Sequence, residues 1–109
     1  MKRRLIVMRH AKSSWNSAGG PDHERPLNDR GRRDAPGVGA ALVEGGWIPD
    51  LVLSSDAQRT RETFAGLSES FPSKVEARFL PSFYSDGFGA VQGELPRVSD
   101  EITCLLVLG

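Results

Sequence analysis

The sequence predicts an α/β fold, a three-layer sandwich in which helices cover both faces of a mostly parallel central sheet. Short apolar runs at residues 5–8, 51–53 and 103–108 have the length of buried strands, and the alternating residues 75–80 fit a further strand. Stretches with apolar residues at helical spacing separate these runs. Alternation of strands and helices predicts a parallel sheet, because parallel strands need long crossover connections.

Length and charge restrict the kind of protein this can be. The 109 residues support one domain with a modest core, and 14 basic side chains balance 14 acidic ones. Zero net charge argues against a general nucleic-acid binder, and no apolar run reaches membrane-spanning length. Cys104 lies in an apolar run, which predicts a buried, inert thiol. We therefore expect a cytoplasmic protein with neither a nucleic-acid nor a membrane partner.

Arg9 and His10 come directly after the first apolar run. We expect residues 5–8 to be buried on both faces, as in parallel sheets, and the two polar side chains to lie at the carboxyl edge where α/β sheets bind ligands. A cation beside an imidazole suits phosphoryl chemistry, since the arginine fork pairs with phosphate oxygens. The alternative for His10 is an ordinary histidine at a strand end.

A second polar motif spans residues 54–63, at the junction of the second strand with a helix. The amino terminus of that helix would present unpaired N–H groups to an anion. Ser55 and Gln58 have the spacing of a capping box. Arg59 falls in the first helical turn and could reach toward His10; the alternative is that it is one of several charges on the helix surface. Arg61 should face solvent.

Other segments carry weaker indications. Asn28 can cap a helix that ends at the glycine pair 45–46, and residues 81–84 are expected to form a loop. His23 has no histidine or cysteine at ligand spacing, so we interpret it as a solvated loop histidine. We expect no metal and no cofactor.

Three segments resemble the histidine phosphatase superfamily, the phosphoglycerate-mutase-like enzymes. Residues 9–16 (Arg-His-Ala-Lys-Ser-Ser-Trp-Asn) are similar to its signature, whose usual form begins Arg-His-Gly. Residues 24–31 (Glu-Arg-Pro-Leu-Asn-Asp-Arg-Gly) resemble the small SixA-type phosphohistidine phosphatase branch. Residues 54–63 match the block that supplies a second phosphate-clamping arginine. The resemblance covers essentially the whole chain and implies the phosphoglycerate-mutase-like fold.

The resemblance assigns roles to individual residues. It implies that His10 is the nucleophile and that Arg9 and Arg59 clamp the phosphate group. It also implies that Asn16 contacts phosphate and that Arg25 lies near the pocket, while a surface position remains the alternative for Arg25.

The expected function is hydrolysis of phosphohistidine on a protein through a covalent phosphohistidine on His10. Many members of the resembled family carry an acidic residue where this chain has Ser82 and Phe83. A phosphoramidate suffers less from a missing acid than an alkyl phosphate does. Alternatives are a small-molecule phosphomonoesterase or mutase that uses Asp86 or Glu94 as its acid, acting on a small phosphate ester, and a catalytically inactive phosphate-binding module.

The carboxyl end departs from the resembled pattern. Family members follow the fourth strand with Gly-His, whereas this sequence stops at Gly109. We therefore expect residues 1–109 to form a single histidine-phosphatase-like domain that is truncated at its carboxyl end. Such a chain should be marginally stable, nearly inactive and partly open to solvent at its apolar surface.

Overall fold

The computed structural model describes residues 3–11 and 21–109, and within these ranges it has an α/β fold with a four-stranded sheet. The sheet order is β1-β4-β2-β3, and every pair of neighbours is parallel, which confirms the predicted fold class. The strands are β1 (Arg4–Met8), β2 (Leu51–Ser55), β3 (Glu76–Leu80) and β4 (Cys104–Leu108). The helices are α1 (Asp29–Glu44), α2 (Gln58–Ser68), α3 (Pro81–Ser85) and α4 (Phe88–Glu94), with short 3₁₀ turns at Asp22–Glu24 and Leu95–Arg97.

Helices cover both faces of this sheet, as predicted. Successive strand residues point to opposite faces, so each strand contributes to two cores. On one face Val52 and Leu106 pack with Leu67 of α2. On the other face Leu53 and Val107 pack with residues of α3 and α4. The sheet is therefore the middle of three layers.

β1 departs from its predicted burial, because it is an edge strand. Ile6 and Met8 pack against the core beneath α1 and α2. Leu5 and Val7 point to the opposite face and remain 50% and 66% exposed. Burial of residues 5–8 on both faces was therefore a wrong prediction, since β4 covers one edge of β1 and the helices of the second face lie over the other strands.

α1 begins where the sequence predicted, and its contact with α2 is unusually close. The Asn28 side chain accepts a hydrogen bond from Gly31 N at 2.8 Å, which caps the first turn. A Cβ atom on Gly39 would collide with the backbone of Leu67, and one on Gly66 would lie 2.5 Å from the Cβ of Ala35. Small residues thus let the two helices approach each other.

Two local predictions were wrong. Ser55 and Gln58 form no capping box, because α2 starts only at Gln58 and the Ser55 hydroxyl accepts from Ala57 N instead. Residues 81–84 belong to α3 rather than to a loop, and Pro81 occupies the first turn, where proline favours a helix start.

Cys104 is buried, and burial raises the pKa of its thiol, as expected of an inert cysteine.

None of the helices in the described part of the chain has the length and apolar character needed to cross a membrane.

Candidate active site at the carboxyl edge of the sheet

The backbone on either side of His10 is tied to two neighbouring elements. His10 N donates to Gly109 O at 3.1 Å, and Gly109 N donates to Met8 O at 3.0 Å, so the β1–β4 pairing continues past both strands. Ala11 N donates to the Thr63 hydroxyl of α2 at 3.0 Å. Backbone hydrogen bonds therefore hold the segment around His10 in place. His10 lies at the carboxyl edge of the sheet, which is where α/β proteins bind their ligands.

A hydrogen bond fixes which His10 nitrogen can act as a base or nucleophile. His10 Nδ1 lies 2.7 Å from Ala11 O, and a carbonyl oxygen can only accept. Nδ1 must therefore carry the proton, and Nε2 of the neutral ring holds the free lone pair.

His10 shares an open cleft of about 310 Å³ with the two arginines named by the sequence. Arg9 comes from the end of β1, and Arg59 reaches in from the first turn of α2. The remaining wall is largely apolar and consists of Val7, Met8, Phe83, Gly87, Val91, Val107 and Gly109. The sheet edge thus combines an imidazole, two guanidinium groups and an apolar wall.

The surroundings of His10 favour its neutral form. Partial burial is the largest effect and lowers the pKa of His10 below its ordinary value of 6.5, although the hydrogen bond to Ala11 O opposes this shift. The positive charges of Arg59, Arg9 and Arg25 lower the pKa further. Neutral imidazole is the state that a nucleophile requires.

Two threonines of the second motif hold Arg59 in place. The buried Thr60 hydroxyl lies within hydrogen-bond distance of Ser55 O and Ala57 O, at 2.7 and 2.9 Å, which anchors the start of α2 to the end of β2. The Thr63 hydroxyl donates to Arg59 O at 2.8 Å and accepts from Ala11 N. One hydroxyl therefore connects the backbone of the arginine with the His10 segment.

Asp22, which belongs to none of the motifs found in the sequence, contacts both Arg59 and Arg25. Arg59 donates from Nη1 to Asp22 O at 2.8 Å and from Nη2 to Asp22 Oδ2 at 3.1 Å. Arg25 lies 3.3 Å from Asp22 Oδ1, and the Tyr84 hydroxyl donates to Oδ2 at 2.8 Å. The three-residue spacing of Asp22 and Arg25 could have indicated their ion pair. No feature of the sequence indicates the hydrogen bond from Tyr84 to Asp22.

Arg25 and Asn16 have predicted roles in the phosphate site. Arg25 is 11% exposed, pairs with Asp22, and its positive charge lowers the pKa of His10, but it does not line the cleft, so its predicted role in substrate binding stays a prediction. Asn16 falls outside the described residues, so its predicted contact with phosphate stays a prediction.

His23, Asp86 and Glu94, whose roles the sequence did not decide, do not line the His10 cleft. His23 is not simply solvated: its Nε2 pairs with Asp56 Oδ1 at 2.8 Å, and its ring packs edge-on against Tyr84. Glu94 faces Arg97. Within residues 3–11 and 21–109, no three histidine, cysteine or acidic side chains are grouped closely enough to hold a metal ion.

A histidine and two arginines at the carboxyl edge of a parallel sheet are typical of α/β proteins that bind or transfer phosphate groups. Comparison with known families is more specific. Residues 5–101 match the model of the histidine phosphatase superfamily (branch 1). The chain belongs to this superfamily, as its motifs indicated.

Curated relatives include proteins with and without a stated activity. An uncharacterized, chloroplastic protein of Arabidopsis thaliana is 48% identical over 87 residues, which cover 78% of this chain and 40% of that protein. An uncharacterized protein of Mycobacterium tuberculosis is 42% identical over 108 residues, covering 94% of this chain and 61% of its own length. A 2,3-bisphosphoglycerate-dependent phosphoglycerate mutase of Arthrobacter is 37% identical over 67 residues, 58% of this chain and 26% of the mutase. The chain thus spans less than two thirds of these relatives.

Solved structures agree on the fold. The SixA protein of Agrobacterium tumefaciens superposes with a TM-score of 0.85 at 26% identity, over 100% of this chain and 70% of the other. The SixA protein of Nakamurella multipartitia gives 0.82 at 30% identity, over 98% of this chain and 58% of its own. The chain therefore has the phosphoglycerate-mutase-like fold in its SixA form.

Proposed function

We propose that this chain is the nucleophile-bearing part of a phosphatase that hydrolyses phosphohistidine on proteins through a covalent phosphohistidine on His10. One observation carries the proposal. The His10 ring donates Nδ1–H to Ala11 O and so offers the Nε2 lone pair in the cleft that it shares with Arg9 and Arg59. Phosphoryl transfer depends chiefly on positioning and on neutralising charge, which this group supplies.

The reaction proceeds in two displacements. Neutral His10 attacks phosphorus through Nε2 while the bond from phosphorus to the departing nitrogen breaks, and the departing imidazole takes a proton from solvent. Water then attacks the phosphorus atom on His10 while the P–Nε2 bond breaks, a proton of the water passes to solvent, and inorganic phosphate leaves with neutral His10 restored. Arg9 and Arg59 bind the nonbridging oxygens throughout and offset their growing negative charge.

The choice of substrate rests on the described side chains that line the cleft around His10. Among the described residues that line the cleft with Arg9, His10 and Arg59 there is no Asp or Glu, and Asp34 lines a separate cavity beside Arg9 and His10. An alkoxide leaving group needs such an acid, whereas the nitrogen of a phosphoramidate can be protonated before it departs. The two SixA structures, which carry the name phosphohistidine phosphatase, support the same substrate class.

A substrate panel tests this choice. We expect kcat/KM for a phosphohistidine peptide to exceed that for alkyl phosphates by at least tenfold, with phosphohistidine hydrolysis lost in His10→Ala. Similarity to the Arthrobacter mutase supports the second candidate, a small-molecule phosphomonoesterase or mutase. Faster turnover of a small phosphate ester than of the peptide would favour that candidate.

A further inference from the structure

Asp22 stands where two cations of the proposed phosphate site converge. Its carboxylate accepts from Arg59 and from Arg25 and its own carbonyl accepts a second bond from Arg59, while the Tyr84 hydroxyl donates to the same carboxylate. Arg59 and Arg25 are only 13% and 11% exposed. Two nearly buried guanidinium groups are therefore held by one residue of the 3₁₀ turn.

The charges explain why a carboxylate is needed there. Arginine does not lose its proton in proteins, so Arg59 and Arg25 both stay positive and repel each other at short range. The hydrogen bond from Tyr84 is the largest cause that lowers the pKa of Asp22, and Arg59 and Arg25 lower it further, so this carboxyl is ionised at neutral pH. An ionised Asp22 offsets the repulsion and accepts from both cations.

The geometry leaves Arg59 able to bind a ligand. A guanidinium carries five N–H groups, and Asp22 receives two of them, one from each terminal nitrogen. Nε of Arg59 is buried and has no acceptor among the described residues. One N–H on each terminal nitrogen makes no bond to Asp22 and stays available to an anion oxygen in the cleft. Asp22 therefore orients Arg59 without using up its donors.

We propose that Asp22 is a positioning residue that sets the orientation of Arg59 and Arg25 for phosphate, with Tyr84 fixing its carboxylate. The inference rests on the proposed function, since it names how that site is organised. Asp22 acts through the arginines and does not itself contact the phosphate. Its removal should therefore weaken anion binding, although removing a negative charge alone would strengthen it.

The test measures tungstate affinity by calorimetry, which requires no turnover. We expect Asp22→Ala to weaken tungstate binding roughly tenfold, equivalent to about 1.4 kcal/mol. Asp22→Asn and Tyr84→Phe should weaken it less, because each keeps part of the hydrogen bonding. Asp100→Ala, which changes an exposed carboxylate paired only with Arg3 among the described residues, is the control and should bind normally.

A double-mutant cycle separates positioning from general destabilisation. Asp22→Ala should weaken tungstate binding less in an Arg59→Ala background and should have no further effect in an Arg25→Ala/Arg59→Ala background, because Asp22 acts through both arginines. Tighter binding by Asp22→Ala, an equal loss in every background, or no tungstate binding by the unmodified chain would each overturn the inference. Failure of the unmodified chain to hydrolyse phosphohistidine while the tungstate results hold would instead reject the proposed function alone.

Discussion

The charge state of His10 governs the proposed chemistry at the scale of single residues. Because burial and three arginines lower its pKa, we expect the imidazole to titrate below 6.5 and kcat/KM to stay level down to that pH. An NMR titration of the His10 ring measures this directly, and Arg59→Gln should raise the value. An apparent pKa above 6.5 would contradict the account.

The lowered pKa of His10 also affects folding. Since the unfolded chain has the higher pKa and binds the proton at higher pH, the free energy of unfolding decreases as the pH falls below 6.5.

Arg59 and Arg61 lie two positions apart on α2 and form a matched pair. Arg59 enters the cleft, whereas Arg61 donates to Asp56 O and lies over the Phe79 ring. Arg59→Ala should weaken vanadate binding by several-fold or more, since charged hydrogen bonds are worth about 1.5 to 3 kcal/mol each. Arg61→Ala should leave binding nearly unchanged. A competition assay measures both affinities. Equal losses of vanadate affinity in the two variants would contradict the assignment of Arg59, rather than Arg61, to the cleft.

Sequence reasoning found the residues that sit next to recognisable patterns. Arg9 and His10 end an apolar run, and Arg59 follows the next one, so their meeting at one sheet edge was predictable. Asp22 and Tyr84 are 62 positions apart, and nothing local to either indicates their hydrogen bond. Such contacts depend on how the 3₁₀ turn and α3 come together, which the sequence does not display.

The contact between α1 and α2 provides a test at the scale of elements. Gly39→Ala should destabilise the fold by about 1 to 3 kcal/mol, because the added methyl group meets the Leu67 backbone, which cannot move aside. Gly37→Ala has open space and should stabilise by about 0.5 to 1 kcal/mol through its helix propensity. Urea unfolding measures both. A Gly39→Ala protein as stable as Gly37→Ala would mean that the helices are further apart.

Elements were predictable where one local signal dominated. Asn28 and the glycine pair 45–46 marked both ends of α1 to within a residue, because capping is a local interaction. α3 escaped prediction because residues 81–84 are too few to show a helical period, and packing of Phe83 into the core stabilises the turn. β1 was predicted but its burial was not, since apolar residues alone do not distinguish an edge strand from a central one.

At the scale of the whole molecule, the sheet is covered unevenly. Leu5 and Leu105 are register partners on one face, but Leu5 is 50% exposed and Leu105 only 6%. Leu105→Ala should therefore destabilise the chain by about 2 to 5 kcal/mol, and Leu5→Ala by less than about 1 kcal/mol. Thermal or urea unfolding compares them. Similar losses would show that the face at β1 is covered in solution.

Trapping a phosphoenzyme tests the central claim most directly. Rapid quenching after incubation with a labelled phosphoramidate should reveal phosphate that is acid-labile and alkali-stable, and peptide mapping should place it on His10. His10→Ala should carry no label, whereas His23→Ala should keep it, because His23 pairs with Asp56. Label that persists in His10→Ala would place the nucleophile elsewhere. Phosphate binding with no labelled protein at any quench time would instead identify an inactive phosphate-binding module and contradict the account.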